Sequence, residues 1–323
     1  MDSRVSDFLR KFGSLIGLLL LCLSLTVLSD KFLGLKNLMN ILRQSSITAL
    51  LAIGVLLPIL TGGIDLSVGS LQGFTMCFMA YMLATTRLDS LLAIFLTLAV
   101  GAAMGLVNGL LLTKLRLPHP FISTLGMQYV ARGIALIITD GMPISGLPPE
   151  VRWLGSGDIY DTFPVSAILV IVICAVYYVI LNHTPFGRYV YAIGGSREAA
   201  RLSGVNVDRV LNWVFVSAGF LSALAGVVLA GRVNSGYPLA GDGAELDGIA
   251  GAVIGGASLF GGEGTVVGTM IGVLIMGVLR NGLNLLNVSS FWQKVVIGVV
   301  VILAVWVDVL RRTSEYKAAA KRV

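Results

Sequence analysis

Long apolar runs, each parted from the next by a few polar residues, repeat along the whole chain. They are Phe12–Leu28, Ile47–Thr61, Val68–Thr85, Leu91–Thr113, Phe121–Thr139, Phe163–Leu181, Leu211–Ala230, Leu246–Phe260, Thr265–Leu279 and Phe291–Val309. A helix of ~20 apolar residues spans a ~30 Å hydrocarbon core. The pattern therefore predicts an all-α integral membrane protein, a polytopic bundle of about ten transmembrane helices. Several runs fall short of ~17 residues, so tilted, broken or re-entrant segments are expected, above all around Gly261–Gly264. One transmembrane domain is expected to cover residues 1–323, interrupted by a polar loop at about 182–210.

The polar intervals sort by charge. Lys114 and Arg116 mark one basic interval, and Arg188, Arg197, Arg201 and Arg209 mark the loop at about 182–210. A third is the tail with Arg311, Arg312, Lys317, Lys321 and Arg322. Asp140–Thr162 and Arg232–Asp247 are acidic. Basic intervals stay on the cytoplasmic side, so both termini are expected in the cytoplasm. Lys31, Lys36 and Arg43 violate this scheme, since ten spans would put them outside. Arg4, Arg10 and Lys11 followed by Leu15–Leu28 resemble the start of a signal peptide, but Ser29-Asp30-Lys31 is no cleavage site, and an uncleaved first span is expected.

Composition agrees. The chain is 56% hydrophobic and 12% charged with a mean hydropathy of +0.90, against about 25% charge in soluble domains. The net charge of +6 follows from the basic loops and needs no nucleic acid partner. Cys22, Cys77 and Cys174 lie inside apolar runs and read as packing residues; no pattern suggests a metal or cofactor. His119 sits between Pro118 and Pro120 and reads as a turn residue, and His183 as a solvated one. The 39 glycines form small-xxx-small patterns such as Gly101–Gly105–Gly109, which suit close helix packing in lipid.

Two breaks echo each other. Gly62-Gly63-Ile64-Asp65-Leu66-Ser67-Val68-Gly69-Ser70 and Gly261-Gly262-Glu263-Gly264-Thr265-Val266-Val267-Gly268-Thr269 each join two apolar runs. Asp65, with Ser67 two positions on, is placed to cap the following helix. Such breaks at membrane depth need protein or water against them and mark candidate moving elements. A helix-hairpin solution used twice is the plain alternative. The span count puts both on the cytoplasmic side.

A third element lies in the basic loop. Ser196 can start a short helix and Gly204 can end it in the left-handed conformation. Two turns are too short to stand alone. Ala199 and Leu202 face one side, while Arg197, Glu198 and Arg201 can point outward.

Glu198-Ala199-Ala200-Arg201-Leu202-Ser203-Gly204 resembles the coupling helix in membrane subunits of bacterial ABC importers. Gly62–Ser70, Gly187–Gly195 and Asn281-Gly282-Leu283-Asn284-Leu285-Leu286 resemble the ribose-type monosaccharide permeases of that group, with similar spacing from about Leu33 to Val309. The resemblance implies a homodimeric permease in the bacterial inner membrane. Two ABC ATPase subunits would lie below it, and a periplasmic sugar-binding protein would deliver a small sugar from above. It carries Glu198, Ala199, Ala200 and Gly204 over as positions that couple to the ATPase, and Arg197, Arg201 and Leu202 of the same short helix are expected to couple with them. The echoing breaks are expected to gate, with Gly62, Gly63, Asp65 and Ser67 in one and Gly261, Gly262 and Glu263 in the other. No Leu-Pro follows Gly204, a departure from the longer coupling pattern of some importers.

No Gly-x-x-x-x-Gly-Lys-[Ser/Thr] occurs, so ATP hydrolysis is expected on another chain, and the protein is expected not to be an enzyme. Gln72, Asn108, Gln128, Asn281 and Asn284 are candidates to line a path for a neutral solute, or else ordinary interhelical hydrogen-bond partners. Arg132, the main charge within a span, is a further candidate. A branched-chain amino-acid permease is the alternative within the group. A stand-alone secondary transporter would need more ionisable residues in mid-span.

Overall fold

The computed structural model describes residues 3–86 and 88–320, with side chains for residues 13–86, 88–306 and 309. Lys321 and Arg322 lie outside the described residues, as do the side chains of Arg4, Arg10, Lys11, Arg311, Arg312 and Lys317. Thirteen helices make up most of the described chain. In order they are α1 (Ser3–Leu28), α2 (Leu35–Leu60), α3 (Val68–Thr86), α4 (Ser90–Thr113), α5 (Pro120–Thr139), α6 (Pro149–Ser156) and α7 (Val165–His183). Then follow α8 (Pro185–Gly195), α9 (Arg197–Leu202), α10 (Val207–Val233), α11 (Ala244–Ile254), α12 (Val266–Leu285) and α13 (Ser290–Ala320). Four two-residue strands form two ladders. β1 (Ile144–Ser145) pairs with β4 (Ser235–Gly236), and β2 (Asp158–Ile159) with β3 (Phe163–Pro164), both antiparallel.

Six of these helices are long and apolar enough to cross a membrane: α2, α4, α5, α7, α10 and α12. The apolar parts of α1 and α13, Gly13–Leu28 and Ser290–Trp306, are shorter. Two expected spans need correction. The run Leu246–Phe260 is helical only through Ile254. At 1.5 Å per residue its eleven residues reach about 16 Å, half of a hydrocarbon core. The run Ile47–Thr61 belongs to a helix that starts twelve residues earlier, at Leu35. Periodicity hid that start because its polar residues interrupt the apolar run, and two of them find partners from distant segments. Asn37 and Asn281 exchange hydrogen bonds of 2.8 and 3.0 Å, and Arg43 pairs with Asp158. The latter pair also accounts for the charge-rule violation at Arg43, whose partner comes from the acidic interval.

The core sits around α2 and α10. Leu50–Leu60 of α2 is fully buried, and most of α10 is enclosed on all sides. Lipid offers no hydrophobic drive between helices, so close backbone approach must hold them. Gly101 and Gly105 of α4 supply it: a β-carbon at Gly105 would strike the Phe215 carbonyl of α10, and Gly219 of α10 fits against Gly101. Caps end the helices where the sequence marks them. Asp89 accepts from Leu91 N and Leu92 N, and Asn234 takes a left-handed φ of 53° after α10.

The connections gather in two clusters. One contains Gly62–Gly63, Pro120, Gly194–Gly195 and Gly261–Gly262. The other contains the β1–β4 ladder, the Arg43–Asp158 pair and the Ser90–Glu150 hydrogen bond.

Gly105→Val should force the α4–α10 backbones apart, an overpacking cost of about 1–3 kcal/mol. Its melting temperature in detergent should fall by several degrees. Gly133→Val, with nothing within 4 Å of the added carbon, should melt like the parent.

Candidate functional site

The short helix α9 forms as its sequence demands. Ser196 Oγ accepts from Ala199 N at 3.2 Å, and Gly204 takes φ +83° to end the turn. Ala200 alone of its residues is buried and docks on the main core cluster. Ala199 and Leu202 share the opposite side and face outward, and Leu202 is 80% exposed. Arg197, Glu198 and Arg201 are exposed as well, with Glu198 and Arg201 3.9 Å apart. Arg197 and Arg201 line a cleft of about 560 Å³ with Arg116, Thr113 and Asp208. Three guanidinium groups against one carboxylate make this cleft cationic.

Directly before α9, three glycine pairs converge. The Leu60 carbonyl at the end of α2 accepts from Gly262 N at 2.9 Å. Gly194 lies against that same carbonyl and against Gly262 N, so that a β-carbon there would collide with both. Gly62, Gly261 and Gly262 all carry positive φ, between 76° and 88°, which glycine adopts without strain. The two echoing breaks thus touch each other and the end of α8, directly before α9. Gly63 packs on Pro120 at the start of α5, and Tyr191 of α8 donates to the Gly264 carbonyl at 2.8 Å. His119 caps α5 by accepting from Phe121 N, and His183 is exposed.

Asp65 occupies the first break and is almost fully buried. Its Oδ1 accepts from Ser67 N at 2.8 Å and Ser67 Oγ at 2.6 Å. Asp65 therefore shapes the turn into α3, and the Ser67 carbonyl accepts from Leu71 N to begin the helix. Asn108 of α4 donates to Ser67 Oγ at 2.9 Å. Desolvation pushes the Asp65 carboxyl up to about 6, opposed by its hydrogen bonds from Ser67. The second break uses Thr265 instead, whose Oγ1 accepts from Gly268 N at 3.0 Å. The Glu263 carbonyl accepts from Ser258 N within that turn.

The polar span residues divide. Gln128 reaches Glu245 Oε1 at 3.4 Å, and Asn284 accepts from Gln293 Nε2 at 2.8 Å. Arg132 of α5 donates to the Pro238 carbonyl and to the Ala240 carbonyl at 2.7 Å, tying the loop before α11 to α5 beside Gly73 of α3. Gln72 instead lines an open cleft of about 250 Å³ between α2, α3, α10, α11 and α12. Asp247 and Arg280 pair at this cleft, with Arg280 Nη2 2.9 Å from each carboxylate oxygen. Ser45, Glu245, Asp247 and Arg280 were not legible as site residues. They lie at run edges, where a polar residue reads as interfacial. Among the described residues no group of three His, Cys, Asp or Glu is placed to hold a metal, and the three cysteines are unpaired.

Residues 37–305 match the family described as branched-chain amino acid transport system / permease component. The chain is 46% identical over 301 residues to the ribose import permease protein RbsC of Bacillus subtilis (strain 168), covering 93% of each. It is 45% identical to RbsC of Escherichia coli (strain K12), over 93% of this chain and 94% of that one. The fructose import permease protein FrcC of Rhizobium meliloti is 36% identical over 94% of this chain and 88% of its own length. No solved structure matches the chain.

The Asp65 carboxyl titrates at 3.8 when unfolded and about 6 when folded. Its contribution to stability is therefore full below about 3.8 and lost as pH rises through about 6. In detergent, the melting temperature of the parent should fall between pH 5 and pH 7.5. Asp65→Asn, which keeps the acceptor for Ser67 N, should flatten that part of the profile.

Proposed function

Because the chain belongs to the branched-chain amino acid transport system / permease component family, we propose that it is the membrane-spanning permease subunit of an ATP-driven ABC importer for a monosaccharide. Ribose and fructose are named for the relatives that match nearly its whole length. It is a transport subunit of the bacterial inner membrane, not an enzyme. ATP hydrolysis belongs to separate ABC ATPase subunits, and a periplasmic sugar-binding protein delivers the cargo.

The observation that supports the mechanism is the contact of the end of α8, directly before α9, with both breaks through Gly194, Gly262 and Leu60. ATPase subunits closing on ATP would push α9. Backbone packed on backbone has little slack, so the push passes to the ends of α2 and α12 and changes which side of the pathway is open. In this reading Glu198, Arg197 and Arg201 meet polar groups of the ATPase, and Ala199 and Leu202 fill an apolar hollow in it. Ala200 ties the helix to the permease, and Gly204 closes it. Gly62, Gly63, Asp65, Ser67, Gly261, Gly262 and Glu263 form the gating junction. Gln72, with Asn108, Gln128, Arg132, Asn281 and Asn284 behind or beside it, belongs to the walls of the path.

About ten membrane passages, cytoplasmic termini, one permease domain over residues 1–323 and a homodimer complete the proposal. The two clusters of connections support this sidedness. The first includes the basic intervals around Lys114 and Arg116 and around Arg188 and Arg197, and the second the acidic intervals Asp140–Thr162 and Arg232–Asp247. A branched-chain amino-acid cargo would use the charged rim of the 250 Å³ cleft, Asp242 and Arg232. The sugar names of the relatives favour the monosaccharide.

Leu202 decides more of the ATPase affinity than Glu198. Burying a leucine is worth about 1.5–3 kcal/mol, whereas an exposed ion pair contributes about 0–1 kcal/mol. In a mild-detergent pull-down with its ATPase, Leu202→Asp should weaken association tenfold or more and Glu198→Arg by a smaller factor. A wild-type chain that emerges without any ATPase from membranes containing it would refute the importer reading.

A further inference from the structure

The cleft beside α9 gathers more positive charge than its surroundings neutralise. Arg116 lines it from the loop between α4 and α5, and Arg197 and Arg201 from one side of α9, four residues apart. Leu112, Thr113, Leu117 and Asp208 complete the lining. Among the described residues neither Arg116 nor Arg197 has an ion-pair or side-chain hydrogen-bond partner, and Asp208 pairs with none of the three arginines. Arg201 has Glu198 at 3.9 Å, with both side chains more than half exposed, a contact that water screens to little. Three guanidinium groups against the one carboxylate of Asp208 leave the lining a net charge of +2.

Arg116 is held at this cleft against its own backbone preference. It lies three residues beyond the end of α4 with φ +53°. The left-handed region is costly for a residue with a β-carbon and free for glycine. The chain uses glycine for the same region at Gly62, Gly204 and Gly261. An arginine kept in a conformation that glycine would adopt without strain points to a use for its side chain. The lining also narrows the ligand. All three cations are arginines, whose planar guanidinium groups grip phosphate or carboxylate oxygens two at a time. A phosphate monoester carries about −1.5 to −2 charges, which matches the lining better than the single charge of a carboxylate. At about 560 Å³ the cleft falls within the ~300–1,000 Å³ of small-molecule pockets. It has room for an organic group beside the phosphate, with Leu112 and Leu117 as apolar wall.

We propose that Arg116, Arg197 and Arg201 form a binding site for a phosphate group, carried either by a soluble phosphate ester or by the headgroup of an anionic phospholipid. The three guanidinium groups donate to the phosphate oxygens, and Asp208 opposes binding by repulsion. Only the placement of the site on the cytoplasmic face rests on the importer reading. Two of its arginines are those which that reading gives to the ATPase, so the phosphate site and the coupling contact share side chains.

The test uses the full-length chain purified in a neutral detergent. It is titrated with inorganic phosphate, ribose 5-phosphate and dioctanoyl phosphatidylglycerol, each against potassium chloride of equal ionic strength, and binding is read as the rise in melting temperature. At least one phosphate probe should raise it where chloride does not. Arg116→Gly and Arg197→Gln should each weaken the apparent affinity about tenfold. Asp208→Asn should tighten it severalfold, an outcome that a merely structural role would not produce. Arg188→Gln, exposed but outside the cleft, should bind like the parent. A preference for either soluble probe assigns the site to a soluble phosphate, and a preference for the lipid assigns it to a headgroup. The absence of any rise with all three probes overturns the proposal. So does an equal affinity in Arg116→Gly, Arg197→Gln and Arg188→Gln, because the attraction is then diffuse. No ATPase or sugar is present, so the result stands apart from the importer reading, which the pull-down tests.

Discussion

The carbonyl of Leu60 closes the last turn of α2 where no further helical N–H can reach it, and it finds Gly262 N from the far half of the sequence. In an apolar interior a free carbonyl is costly, so broken helices must borrow donors from neighbouring breaks. That requirement brings two backbones to hydrogen-bonding distance, and only residues without a β-carbon tolerate it. Gly194 then fits over the same carbonyl. Backbone contacts thus join the end of α8, the end of α2 and the turn before α12.

Elsewhere the same constraint appears in softer form. α4 approaches α10 through Gly101, Gly105 and Gly219, and Arg132 covers loop carbonyls that face α3. The bundle is rigid where these contacts lie. It is polar and open at the 250 Å³ cleft, where Asp247 and Arg280 pair.

The exposed face of α9 shows how sequence and structure share the explanation. Spacing alone places Ala199 and Leu202 on one side. Which side turns outward depends on Ala200, the residue that docks on the core. An isolated six-residue helix has no orientation until something packs on it.

The sequence by itself determined the class of the protein, because ~20-residue apolar runs have few uses outside lipid. It also determined the short helix, its caps and the two glycine breaks, since Ser196, Gly204 and Asp65 act on their immediate neighbours. The start of α2 at Leu35, the half-length α11 and the meeting of Gly62, Gly194 and Gly262 were decided by the tertiary structure alone. The same holds for the pairing of Arg43 with Asp158 and of Arg280 with Asp247. Each of these depends on a partner far along the chain. Local pattern records which residues are polar or small, but only the packed helices fix which of them face each other.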